Sequence, residues 1–193
     1  KNQLPENIKY LKLDSKKTIG EKRNIGVEIS KNNIIVCMDS DDYYYPGSVK
    51  YRVANLIQYN KNVVGCSIIG LFEINKIISN VFFSPLNKKF STRVFESSMA
   101  FRKEHWQNNK FKETNINEGE PLLNDILEYM EINWKQTLVS LVHNDNTNKR
   151  FRINGKSNGS HFNFSDKLFE LITNIQKEDI EKENTEKENI NKS

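Results

Sequence analysis

The sequence predicts an α/β fold, a mixed sheet flanked by helices, and three observations carry that expectation. Residues 34–38 form an unbroken apolar run with β-branched residues at its start, the pattern of a central strand covered on both faces. Helical patterns stand on either side of it, one opening at Thr18 and one at Pro46. Further apolar runs of strand length recur as far as residue 142, so strands and helices alternate along the chain.

Residues 8–13 alternate apolar with polar (Ile8, Tyr10, Leu11, Leu13) and read as a short strand. Thr18-Ile19-Gly20-Glu21 has the spacing of a capping box, which starts a helix running to about Ser30 with Ile25 and Ile29 on its inner face. Pro46 suits the first turn of the second helix, whose apolar stripe is Val49, Val53, Leu56 and Ile57. Residues 62–69 and 71–83 read as two or three strands broken near Gly70 and Asn75-Lys76, with 85–89 as an exposed loop. Residues 94–101 read as another strand. Pro121 opens a third helix with Leu122, Leu123, Ile126, Leu127 and Met130 on its apolar face, and 137–142 is the last strand. Residues 144–160 lack apolar periodicity and read as a loop; Leu168, Leu171, Ile172 and Ile175 form a final helical stripe.

A chain of 193 residues has room for one domain with a substantial core, placed at residues 1–175. Residues 176–193 are almost wholly Glu, Lys and Asn, a disordered tail or helical extension. That tail is acidic, with four Lys against six Asp and Glu in 177–193, so it masks part of the basicity behind the formal net charge of +4. The body therefore favours anionic ligands modestly. Its positive charge is spread out, with no Arg-rich arm and no zinc-finger spacing, which argues against nucleic acid. Cys37 and Cys66 lie inside apolar runs and read as buried reduced thiols, which favours a soluble protein of a reducing, cytoplasmic compartment. No run approaches the roughly 18 apolar residues of a membrane span.

The chemistry concentrates at Asp39-Ser40-Asp41-Asp42. Three carboxylates within four residues repel one another, and a divalent cation is one way to hold them together. Hard cations such as Mg²⁺ and Mn²⁺ take one or two protein carboxylates and fill the remaining positions with phosphate oxygens and water. Location adds to this, because ligands of open α/β sheets gather outside the carboxyl ends of strands. An EF-hand is excluded: Tyr43 falls at the fifth loop position, and no Gly or closing Glu stands where that loop needs one. A solvated turn capping the next helix would also explain the motif.

Gly20-Glu21-Lys22-Arg23-Asn24, the run 34–38, Asp39-Ser40-Asp41-Asp42 and Pro46 together resemble the family 2 glycosyltransferases of the GT-A fold. A second block, Ser97-Ser98-Met99-Ala100-Phe101-Arg102-Lys103-Glu104-His105-Trp106 with Phe111, is similar to that family's acceptor-side segment. The segment normally leads to Gly-Glu-Asp; here Gly119-Glu120 is followed by Pro121, with Glu118 as an extra acid. The resemblance covers residues 8–145.

It implies transfer of a sugar from a UDP- or GDP-sugar to a hydroxyl of a glycan or protein, with inversion and with Mn²⁺ or Mg²⁺. The family pattern puts Asp39 and Asp41 on the metal, with His143 as a third contact, because His143 opens a His-x-x-Asn-Thr segment like that of some relatives. It puts Arg23, Asn24, Asp39 and Asp42 at the donor, and Glu120, or else Glu118, at the base. Family members begin with a strand, a helix and a second strand that hold the nucleoside. Nothing of that pattern precedes Asp14, so an N-terminally truncated domain is expected, with the missing part supplied by another chain. The alternative is a degenerate or split GT-A-like protein that binds a partner or a carbohydrate without catalysis.

Overall fold

The structure is a computed structural model and describes residues 5–76, 78–143, 170 and 174. The expected 144–160 loop, the Leu168 to Ile175 stripe and the charged tail therefore lie outside the described residues, apart from the isolated positions 170 and 174. Three α-helices and eight short strands are described, ordered α1 (Ile19–Ile29), β1 (Ile34–Val36), β2 (Tyr43–Tyr44), α2 (Ser48–Gln58), β3 (Val63–Gly65), β4 (Ile68–Glu73), β5 (Ile78–Phe83), β6 (Ala100–Arg102), α3 (Lys103–Asn108), β7 (Tyr129–Glu131) and β8 (Leu138–Val142).

The strands form two mixed four-stranded sheets. In the first, ordered β1-β6-β3-β7, β6 runs antiparallel to both β1 and β3, and β3 is parallel to β7. Side chains alternate across it as the pleat requires. Val63 and Phe101 enter a cluster with Val27 of α1, Trp106 and Phe111, whereas Val64 and Ala100 enter one with Leu56 of α2. Helices α1 and α3 thus pack on one face and α2 on the other. The second sheet, ordered β2-β8-β4-β5, pairs β4 in parallel with β8, and its core is Ile69, Leu71, Ile78, Leu138 and Val142. Among the described residues no helix is long and apolar enough to cross a membrane.

Local sequence sets several boundaries as expected. Thr18 and Glu21 form the capping box at the start of α1, with Glu21 N–H on Thr18 Oγ1 at 3.2 Å and Thr18 N–H on Glu21 Oε2 at 2.8 Å. Both cysteines are buried and unbridged. Strands β3, β4, β5 and β8 fall within the expected runs, although β4 passes unbroken through Gly70. A Cβ there would stand 2.6 Å from the Trp134 ring, so glycine lets the tryptophan lie on the strand.

Other elements differ, for physical reasons. Residues 8–13 form no strand; Ile8, Tyr10 and Leu11 are exposed, and no described strand pairs with them. Strand β1 is covered on both faces but lies at the edge of its sheet among the described residues. The inner stripe of α1 is Gly20, Arg23, Asn24 and Val27, and Ile29 points outward. On α2, Ser48, Arg52 and Leu56 are buried while Val49 and Ile57 are exposed, a stripe rotated by one position around a buried arginine. Residues 94–101 are strand only from Ala100, because Ser98 and Met99 donate back to Phe95 and Glu96 in a 3-10 turn. The helix expected after Pro121 is two 3-10 turns leading into β7. Asp125 caps Leu127 N–H at 2.9 Å, and Glu128 O accepts the Asn62 N–H as the chain enters its pairing with β3.

Gly20 fixes how α1 seats on the 111–118 segment: its N–H donates to Thr114 O at 3.0 Å, and a Cβ would stand 1.7 Å from Lys112 O. Gly20→Ala must push the helix off that backbone, so it should lower unfolding stability by about 3 kcal/mol in urea titration. A loss below roughly 1 kcal/mol would show that α1 can shift without cost.

Candidate functional site

The acidic turn leaves the end of β1 and passes between α1 and β8, and each carboxylate meets a different partner. Arg23, a half-buried residue of α1, places Nη2 at 3.0 Å from Asp39 Oδ2 and 2.9 Å from Oδ1, and its Nε donates to Glu118 Oε1 at 3.1 Å. Burial opposes its charge, but Cys37, Asp39, Glu118 and Glu96 around it outweigh that and raise its pKa. Asp42 faces β8, where its Oδ1 accepts from Ser140 Oγ at 2.8 Å and from Leu141 N–H at 3.2 Å. Burial, with Asp39 and Asp41 nearby, pushes it up to about 6 against those two bonds. Asp41 stands toward solvent, its Oδ2 at 3.4 Å from His143 Nε2 at the end of β8.

The residues named from sequence therefore separate by role. Arg23, Asp39 and Glu118 come together as one ion-paired group, and Asp41 meets His143. Asp42, expected at the donor, pins the turn to β8. Asn24, also expected at the donor, binds its own fold: its Oδ1 accepts from Trp106 Nε1 and Phe111 N–H, each at 3.0 Å, and its Nδ2 donates to Phe111 O at 2.9 Å. Those bonds staple α1 to the segment after α3 and leave its carbonyl oxygen committed.

Glu120 is held by Lys89 at 2.6 Å and by Lys112. The two ammonium groups lower it to about 2, the wrong direction for a base at neutral pH. Glu118 is buried, 4% exposed, against Arg23. A third carboxylate, Glu96, was invisible to sequence reasoning because nothing in a 3-10 turn marks it out. Its Oε1 accepts the Gly119 N–H at 3.2 Å; burial, then repulsion from Glu118, raise it to about 7.

Asp41 and His143 offer a carboxylate and an imidazole, both of which Mn²⁺ accepts. Asp41 Oδ2 and His143 Nε2 stand 3.4 Å apart, and a hard divalent cation fills the positions that protein leaves with water and phosphate oxygens. Among the described residues no group of three or more His, Cys, Asp and Glu is arranged to hold a metal. Both oxygens of Asp39 already face a guanidinium.

The raised Glu96 has a definite linkage sign. Its folded-state pKa lies above the unfolded one, so the stability it contributes is full below about pH 4.5 and is lost as pH rises through about 7. Thermal midpoints of the wild type should therefore fall between about pH 5 and pH 8 more steeply than those of Glu96→Gln, which keeps an acceptor for Gly119. Parallel curves would remove the raised pKa.

Comparison with known proteins bears on this geometry. A structure of S. aureus TarS 1-349 in complex with UDP-GlcNAc superposes with a TM-score of 0.54 at 15% sequence identity, covering 72% of this chain and 44% of that one. A second, S. aureus TarS 1-349, aligns with a TM-score of 0.46 at 15% identity over 64% of this chain and 40% of that one. At such identity the first likeness carries the fold alone, the GT-A α/β arrangement, and this chain spans less than half of that protein's length. No curated protein matches the chain. The family model described as glycosyl transferase family 2 matches residues 1–117, more than half of the chain. Its match spans α1, β1, the acidic turn and the block before Glu118, and the chain belongs to glycosyl transferase family 2.

Proposed function

We propose that this chain carries the diphosphate-binding part of a glycosyltransferase that moves a sugar from a nucleotide-diphosphate donor to a hydroxyl acceptor, with inversion. The observation that carries the reading is the division of labour at the acidic turn. Asp42 is tied to β8 and Asp39 to Arg23, while Asp41 is presented toward solvent beside His143. TarS was crystallised with UDP-GlcNAc, which supports a nucleotide-sugar donor for a relative in fold.

Asp41 and His143 would hold the divalent cation, Mn²⁺ or Mg²⁺, which supplies charge neutralisation for a departing diphosphate. Arg23 orients the Asp39 carboxylate and adds a cation at the same edge. Asp42 and Ser140 keep the turn against β8. Of the two acids expected as the base, Glu120 is weakened as a proton acceptor by Lys112 and Lys89, and Glu118 is ion-paired with Arg23. The edge of β1, unpaired among the described residues, supports a partner chain or segment completing the donor pocket, since an unpaired strand edge is a ready template for another strand.

Calorimetry with UDP- and GDP-sugars, with and without Mn²⁺, tests the reading. Metal-dependent binding in the micromolar range is expected for the wild type, weakened by at least about tenfold in Asp41→Ala, equivalent to about 1.4 kcal/mol. Equal binding by that variant sinks the Asp41 assignment. Absence of any nucleotide-sugar binding favours a non-catalytic GT-A-like interaction or carbohydrate-binding protein.

A further inference from the structure

Arg52 is the largest side chain that the fold buries completely, 0% exposed, and among the described residues no carboxylate stands within ion-pair distance of it. Burial lowers its pKa from the ordinary arginine value. Its Nη2 has no hydrogen-bond partner among the described residues. A lone buried cation is costly, and an apolar side chain of similar volume would fill the same space between α2 and the sheet more cheaply.

The guanidinium is spent on backbone carbonyls. Nη1 donates to Cys37 O at 2.7 Å, to Ser97 O at 3.3 Å and, at the limit of length, to Met99 O at 3.5 Å; Nε reaches Ser48 O at 3.4 Å. Its Cζ lies 5.3 Å from the centre of the Tyr44 ring, within cation–π range. The Tyr44 hydroxyl in turn accepts the Asp39 N–H at 2.7 Å and donates to Ser97 O at 3.3 Å. Asp39 N–H is the first peptide donor of the acidic turn. One cation and one phenol thus tie together the end of β1, the start of the turn and the entry to β6.

We propose that Arg52 and Tyr44 are positioning residues, which set the direction in which residues 39–42 leave β1 and so deliver Asp39 to Arg23 and Asp41 to His143. The hydrogen bonds of both side chains go to Ser48, Cys37, Asp39, Ser97 and Met99, and neither is asked to bind donor. The proposal rests on the reading of this turn as the donor site. Its physical content is separate: the start of the turn is fixed by side-chain bonds to backbone, from Arg52 to Cys37 O and from Asp39 N–H to Tyr44 Oη, while its end is fixed by Asp42 on β8.

Amide hydrogen exchange on the full chain, with Tyr44→Phe, Arg52→Lys and Arg52→Met, tests it. Tyr44→Phe keeps the ring and loses the hydroxyl, so Asp39 and the amides after it should exchange about tenfold faster while those of β4 and β8 stay protected. Arg52→Lys should rescue part of the protection lost in Arg52→Met. Affinity for UDP with Mn²⁺ should fall by about tenfold in Tyr44→Phe without a matching fall in thermal midpoint. Unchanged exchange at residues 39–42 in Tyr44→Phe overturns the proposal, as does faster exchange with undiminished affinity. A uniform rise across β1, β6 and α2 would make the pair merely structural and also overturn it. Should Arg52 variants not fold, Tyr44→Phe decides alone. A wild type that binds no nucleotide refutes the donor reading, while the exchange pattern still decides the positioning.

Discussion

The guanidinium of Arg23 is the contact on which the site's geometry turns. Asp39 and Glu118 lie far apart in sequence, one after β1 and the other before a 3-10 turn, and Arg23 on α1 holds both. Removing that cation would leave Glu118 buried without a counter-charge and Asp39 facing Asp41 and Asp42 unscreened, a combination that costs several kcal/mol in comparable buried pairs. The ion pairs fix which way α1, the acidic turn and the 111–118 segment face one another.

Everything around Arg23 is arranged to make that reach possible. Gly20 lets α1 touch the backbone at Lys112, and Asn24, four residues on, staples the same helix to Trp106 and Phe111. Val27 then completes the stripe in the core. A single helical face therefore carries a close-approach glycine, an ion-pairing arginine, a stapling amide and an apolar anchor. On the opposite face of the sheet α2 repeats the logic with a different charge balance, since Arg52 satisfies carbonyls where Arg23 satisfies carboxylates. The acidic turn lies above both cations.

Much of this was written locally. The capping box of α1, the apolar run of β1, the spacing of β4, β5 and β8, and the buried thiols all follow from side-chain chemistry within a few residues. The acidic turn was recognisable because Asp-x-Asp-Asp directly after an apolar strand, preceded by an Arg-Asn helix, is a linked pattern. The elements misread have one cause in common, which is that hydropathy alone decided them. Ile25 and Val49 drew the stripes of α1 and α2 away from Arg23 and Arg52, whose burial depends on acceptors contributed by distant segments. Leu122, Leu123, Ile126 and Leu127 spaced like a helix, yet the demand of β7 for a partner in β3 stretched the chain into turns.

The sequence by itself determined that strands and helices alternate, where the acidic turn falls and which helix precedes it, because caps, β-branched runs and motif spacing are short-range properties. Only the tertiary structure decided what each acid does. Four of the carboxylates in question are held by groups 8 to 98 residues away, Asp39 by Arg23, Asp42 by Ser140, Glu96 beside Gly119 and Glu120 between two ammonium groups. A carboxylate's charge, direction and proton affinity are set by its neighbours in space, and those neighbours come from the fold.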